Sequence, residues 1–183
     1  MDPITIPGRV ITLRDMRSDD AADAWAIVGD DRVTRWLSFD SRDQAAAVAM
    51  VEGTIQRAQH TPRTEYYLAV TDATDRMIGF ARLGFTGHQA AKLGYAISAD
   101  HWGHGYATDA ARTIVDYGFQ TLKLHRITAA IGPDNTASIT VAERLGMQYE
   151  GRLRDHVHTN GAWRDSLLYS ILAEEWAPHR RLT

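Results

Sequence analysis

The sequence predicts a single α/β domain built on a mixed, mostly antiparallel sheet. Three observations carry that expectation. Segments whose apolar residues alternate with period two are interleaved with segments bearing apolar stripes at helical spacing. Two long strand-like segments flank Asn160-Gly161, a dipeptide that favours the tight turn of an antiparallel hairpin. No linker, repeat or low-complexity tract interrupts the 183 residues, so the whole chain, 1–183, reads as one domain. That length is enough to bury about two-thirds of the unfolded surface.

The elements follow in order. Val10 to Arg14 alternates as a first strand. Ser18-Asp19-Asp20 opens a helix whose Ala22, Trp25, Ala26 and Gly29 fall on one side. Asp30 to Phe39 reads as an irregular or short helical link carrying Trp36, Leu37 and Phe39. Ser41 stands three residues before Gln44, the spacing of a capping box, which predicts a helix from Arg42 to about Gln59, closed off by Pro62.

Tyr66 to Thr71 and Met77 to Phe85 are predicted strands joined by the polar turn Asp72 to Arg76; Thr86 to Ala90 is a further turn. Leu93, Tyr95 and Ile97 alternate on a central strand, with small Gly94 and Ala96 facing the other way. A helix follows from Tyr106 to Leu122, its stripe formed by Ala107, Ala111, Ile114, Val115, Gly118 and Leu122. Arg126 to Ile131 is a short strand. Asn135 is placed to cap a helix that ends at Gly146. Met147 to His158 and Ala162 to Leu172 form the final hairpin.

Composition narrows the function. A net charge of −3 lacks the basic excess of a nucleic-acid grip, so no nucleic-acid partner is expected. The longest apolar run, Ala45 to Val51, is far too short to span a bilayer, so no membrane partner is expected either. The start, Met1-Asp2-Pro3-Ile4-Thr5, lacks the basic patch and hydrophobic core of a signal peptide, and the expected location is cytoplasmic. With no cysteine there is no disulfide, no thiolate metal site and no cysteine nucleophile.

Between the central strand and the following helix runs His101-Trp102-Gly103-His104-Gly105-Tyr106-Ala107-Thr108. Two glycines let successive N–H groups turn into one concavity, and the helix start adds its positive end; such a place suits a pyrophosphate. A P-loop is excluded because no Gly-Lys-Ser/Thr follows, and the Rossmann spacing is absent. Farther on come Pro133-Asp134-Asn135-Thr136-Ala137-Ser138 and Glu143-Arg144-Leu145-Gly146-Met147. Asn135 and Ser138, three apart, share one face of a helix start. By spacing alone, Asn135 is equally well a plain cap and Ser138 a packing residue. Asp109, in the first turn, complements the helix dipole and reads as a stabilising residue.

Together these segments resemble the GCN5-related N-acetyltransferases (GNAT), specifically the RimJ/RimL-like branch that acetylates ribosomal-protein N-termini. The ending, Asn160-Gly161-Ala162-Trp163-Arg164-Asp165 with Leu168-Tyr169-Ser170, also looks like this branch. The resemblance spans about Val10 to Trp176. It implies six to seven strands flanked by about four helices, with a V-shaped split between two central strands. It implies acetyl-CoA as cosubstrate, gripped by Trp102, Gly103, His104, Gly105, Tyr106, Ala107 and Thr108. Tyr95, Ala96 and Ile97 would line the acetyl group with their main chain. Asn135 would bond the pantetheine arm, and Ser138 would lie near the sulfur and either help protonate the departing thiolate or order a water.

The proton acceptor is where the match thins. Many relatives carry a Glu just before the Leu-Gly-Tyr of the central strand, where this chain has Lys92. Others place a carboxylate late in the hairpin's first strand, near Val157; Asp155 is the nearest carboxylate there, with His156 and His158 alongside. Either histidine has an unperturbed pKa suited to a proton shuttle, and His156 is taken as the catalytic candidate. His156 and His158 are read as sharing one strand face, but no third ligand is evident, and no metal is predicted. Trp36 and Phe39 either wall the acceptor pocket or pack in the core. Arg82 pairs with an acidic substrate or is a plain surface residue, and His158 is a further candidate for acceptor contact. His101 and His104 read as solvent-facing turn residues.

The expected activity is direct transfer of an acetyl group to a primary amine, either a protein N-terminus or a small molecule. An α-amine of pKa near 8 is easier to deprotonate than a lysine near 10.4 by about 3 kcal/mol, so a site without an obvious base is expected to prefer the α-amine. The rival expectation is an acyl-CoA-binding module without catalysis, which Lys92 favours. The resemblance leaves room for a homodimer.

Overall fold

The computed structural model describes residues 3–179. Eight strands form one sheet in the order β1-β2-β3-β4-β5-β6-β8-β7. They are β1 (Thr5–Pro7), β2 (Thr12–Asp15), β3 (Glu65–Thr71), β4 (Met77–Gly87), β5 (Ala90–Ile97), β6 (Arg126–Ile131), β7 (Gln148–Thr159) and β8 (Ala162–Leu172). Every pairing is antiparallel except β5 with β6. The helices are α1 (Ala21–Val28), α2 (Asp31–Thr34), α3 (Gln44–Ala58), α4 (Tyr106–Gln120), α5 (Thr136–Arg144) and α6 (Ala173–His179). The expected strand count of six to seven becomes eight because the three-residue edge strand β1 pairs with β2. The helix count rises through the single turn α2 and the terminal α6.

The sheet separates two cores. On one face α4 and α5 pack Ala111, Ile114, Val115, Val141 and Leu145 against Leu83, Leu93, Ile127 and Ile171. The α4 stripe is wider than expected, adding buried Ala110 and Phe119, while Ala107 and Leu122 are half-buried at its margins. On the other face α1 and α3 pack Ala24, Ile27, Val28, Met50 and Val51 against Ala69, Phe80 and Ala96. Here the sequence reading of α1 is overturned. Ala24, Ile27 and Val28 face the core, whereas Ala22, Trp25, Ala26 and Gly29 form the outer side. Both stripes of this eight-residue helix are apolar, so periodicity alone could not choose between them.

The start of α3 is also corrected. Asp43, not Ser41, is the cap, accepting from the Ala46 amide at 2.8 Å. Ser41 instead bonds the side chains of Thr34 and Asp31. The ends of α5 match expectation: Asn135 Oδ1 accepts from the Ser138 amide at 3.1 Å. Gly146, at φ +75°, lets its own amide reach Glu143 O and that of Met147 reach Ala142 O. This pattern satisfies the last carbonyls of the helix.

Candidate active site

The sheet is incomplete at its centre. β5 and β6 share three rungs, Ala90 with Arg126, Ala91 with Ile127 and Lys92 with Thr128. Beyond them β5 continues to Ile97 paired with β4 alone, and β6 continues to Ile131 paired with β8 alone. Every second residue of the parted stretch therefore turns its N–H and C=O into the gap. Main-chain groups in a sheet interior need partners, so this split is built to receive something with hydrogen-bonding groups of its own.

The mouth of the split is flanked by the starts of α4 and α5, because each parted strand leads into one of them. Gly103 and Gly105 both have left-handed φ, +81° and +78°, and Gly105 is the N-cap of α4. No heavy atom stands within 4 Å of where a Cβ would sit on either glycine, so the concavity is open. Trp102 anchors the turn by donating its indole N–H to Ile97 O at 2.8 Å. His104 stacks on Tyr106 with ring centroids 5.5 Å apart. Asp109 does more than complement the dipole. Its carboxylate accepts from the amides of Arg9, Val10 and Ile11 at 2.8–3.2 Å, fastening the segment after β1 to α4.

A left-handed conformation costs a residue with a Cβ about 1–2 kcal/mol. Gly103→Ala and Gly105→Ala are each expected to let the turn relax away from its concave form. Calorimetry with coenzyme A is expected to register a loss of affinity of about tenfold for either change. Unaltered affinity would show that the turn does not grip the diphosphate.

Deeper in, a narrow apolar crevice is lined by Leu93, Tyr95, Ala129, Ile131 and Ser138. The Tyr95 hydroxyl is buried there with no hydrogen bond of standard geometry, and Ser138 is the hydroxyl it faces. Burial pushes the Tyr95 phenol upward, opposed by Ser138, so it stays protonated. The sequence reading placed only the main chain of Tyr95 in the site; its side chain is a functional group that reading missed.

The opposite face of the split carries the candidate acceptor groups. Antiparallel rungs place partner side chains on one face, which puts Arg82, Gly94 and Lys92 together there with Ser166 and Ser170. The register of β7 against β8 slips between Leu153 and Val157. This bulge, with Asp155 at φ +48°, turns His156 so that its Nδ1 meets Ser166 Oγ at 2.9 Å. His158 pairs with Trp163 and meets its ring edge to face, centroids 5.1 Å apart, on the other face. The two histidines therefore do not share a face, because the bulge breaks the alternation. Among the described residues, no group of three or more His, Asp or Glu is placed to hold a metal ion.

Partial burial first, and the charge of Lys92 second, hold His156 below its ordinary value of 6.5. Phe39 packs partly into the second core, with Arg42 4.4 Å from its ring, and Trp36 is half-buried beneath Arg35. Their link is stitched to the β7–β8 hairpin. Arg164 donates to the carbonyls of Arg35 and Leu37 at 2.6 and 2.5 Å, and the Asn160 amide donates to Asp40 at 2.7 Å.

A sheet parted between two parallel strands, opening onto a glycine turn and two helix starts, defines an acyl-transfer fold. Residues 11–148 match the family described as the acetyltransferase (GNAT) domain. The chain belongs to the GNAT acetyltransferase family, in its RimJ/RimL-like branch, and is an acyl-CoA-dependent enzyme by that membership. It is 31% identical over 170 residues to the uncharacterized N-acetyltransferase p20 of Bacillus licheniformis, covering 91% of this chain and 95% of that one. It is 29% identical over 125 residues to the ribosomal protein uS5-alanine N-acetyltransferase of Escherichia coli, covering 66% of this chain and 64% of that one. Among solved structures it superposes on Mycobacterium smegmatis RimJ in complex with CoA-disulfide. That match has a TM-score of 0.85 at 30% identity, covering 98% of this chain and 95% of that one. Among the described residues no helix is long and apolar enough to cross a membrane.

Proposed function

We propose that this protein transfers an acetyl group from acetyl-CoA to a primary amine, with a peptide N-terminus or another low-pKa amine as acceptor. The observation that carries the reading is the unpaired main chain between β5 and β6, which runs from the glycine turn to the rung of Lys92 and Thr128. Acetyl-CoA supplies the activated carbonyl. The left-handed glycines and the α4 amides receive its diphosphate. The Nδ2 group of Asn135, which the helix cap does not use, is available to the pantetheine arm. Main-chain amides of Tyr95 and Ile97, the alternate residues that face the gap, stabilise the carbonyl oxygen as it gains charge, a contribution of roughly 3 kcal/mol, while the Ala96 amide turns to β4.

Two proton movements remain. His156, held neutral at pH 7, takes the proton of the incoming ammonium from the acceptor face. Tyr95, beside Ser138, gives a proton to the departing thiolate from the cofactor face. In an NMR titration His156 is expected to show a midpoint below 6.5 and to move upward in Lys92→Met, since a neighbouring cation disfavours the imidazolium. A midpoint indifferent to that change would remove His156 from the neighbourhood of Lys92.

The reading is tested by following thiol release from acetyl-CoA with a panel of amines, including a peptide offering its N-terminus and a blocked peptide offering only lysine. Faster release with the free N-terminus is expected. Faster lysine modification would overturn the acceptor class. Acetyl-CoA binding with no release from any amine would identify a binding module instead.

A further inference from the structure

On the acceptor face, cations crowd the Glu65 carboxylate, while Glu150, bonded to Ser170, is already paired with Arg126. Glu65 is buried, with Oε1 accepting from Arg57 Nε at 2.5 Å and Oε2 from Arg82 Nε at 2.6 Å. The Arg82 guanidinium lies over Gly84, where an added Cβ would stand 3.0 Å from Nη2. Gly84 is the rung partner of Lys92, so the strand pairing brings the two positive groups side by side. The Lys92 ammonium is accordingly lowered from its ordinary value, by partial desolvation first and by Arg82 second. Among the described residues Lys92 forms no ion pair. Arg42, stacked on Phe39, adds to the positive field at Tyr67. His156, held neutral, adds no charge of its own.

Glu65 thus meets Arg57 and Arg82 beside an open concavity of about 400 Å³ lined in part by Arg57, Glu65, Tyr67 and Arg82, and Lys92 stands next to Arg82 across the Gly84 rung. Beside it, Gly94 is the rung partner of Arg82, and no heavy atom lies within 4 Å of where its Cβ would be. That space adjoins the last shared rung of β5 and β6. An acceptor entering there is an ammonium before it reacts, and a surplus of positive charge repels it. An acceptor that brings its own anion is drawn in and neutralises the surplus.

We propose that this cluster selects acceptors bearing a carboxylate close to the reacting amine, received by Lys92 and Arg82. The proposal rests on the acetyl-transfer reading and names the acceptor class within it. The carboxylate has two sources: the α-carboxylate of a free amino acid, or an acidic side chain next to a peptide N-terminus. Two matched series separate them, each assayed for thiol release with saturating acetyl-CoA. One compares alanine with alaninamide, the other Ala-Glu-Ala-amide with Ala-Gln-Ala-amide.

The acidic member is expected to have a kcat/KM at least about tenfold higher in one series, and the series that responds identifies the source. In the first series the amide has the more readily deprotonated amine, so a preference for the acid cannot arise from amine basicity. Lys92→Gln and Arg82→Gln are each expected to reduce the ratio about tenfold. Lys92 carries no structural ion pair, which keeps that variant informative should Arg82→Gln fold poorly. Ratios near one in both series, with the neutral members turned over, would overturn the proposal and leave acetyl transfer intact. A preference retained in both variants would overturn the assignment of these cations. Absence of release from every member would overturn both readings.

Discussion

Asp20→Ala is expected to lower the free energy of unfolding by about 3–5 kcal/mol, because it strips a buried cation of its partner. For a domain of this size that corresponds to a fall in Tm of roughly 10 °C. The side chains of Arg14 and Asp20 are 5% and 4% exposed. Nη1 and Nη2 of Arg14 each meet one Asp20 oxygen at 2.8 Å, and the Arg17 amide donates to the same carboxylate at 2.7 Å. Asp20 is the main reason the Arg14 guanidinium is held more firmly protonated than usual, against the desolvation of its site. Asp75, half-exposed, also binds Arg14 and cannot replace the lost oxygens. The double change Arg14→Met with Asp20→Leu is expected to cost less than Asp20→Ala alone, since it removes the orphaned charge. Thermal unfolding of the three proteins decides the matter; a single variant as stable as the parent would refute the argument.

Tyr95→Phe is expected to lower kcat by about a hundredfold, with acetyl-CoA affinity nearly unchanged. The hydroxyl it removes is buried without a standard hydrogen bond, so its loss should not destabilise the fold. In the proposed transfer a thiolate leaving from the crevice needs a proton, and the phenol, kept protonated by burial, stands beside Ser138 where it would provide one. Turnover and calorimetric affinity, measured on the same preparation, separate this role from simple packing. Weakened binding with kcat intact would assign Tyr95 to cosubstrate contact alone.

Local chemistry made much of this molecule legible. Gly103, Gly105 and Gly146 all adopt the left-handed backbone that their positions suggest, and Asn135 caps its helix. β6 and β8 begin and end where alternation and the Asn-Gly turn put them. What escaped was set by long-range partners. Ser41 satisfies the capping pattern as well as Asp43 does, until Thr34 and Asp31 claim its hydroxyl. A bulge such as that at Asp155 leaves no mark on apolar periodicity, so the two histidines looked equivalent. The bonds from Arg57 and Arg82 to Glu65 join residues 8 and 17 apart across separate elements, and no spacing announces them. Tyr95 reads as one more aromatic on a strand, and only the packing of α5 shows its hydroxyl facing Ser138.

The bonds from Arg164 and Asn160 to Arg35, Leu37 and Asp40 tie together stretches of chain more than a hundred positions distant. They fasten the link between α2 and α3 to the β7–β8 hairpin, so neither segment swings outward without breaking these three bonds.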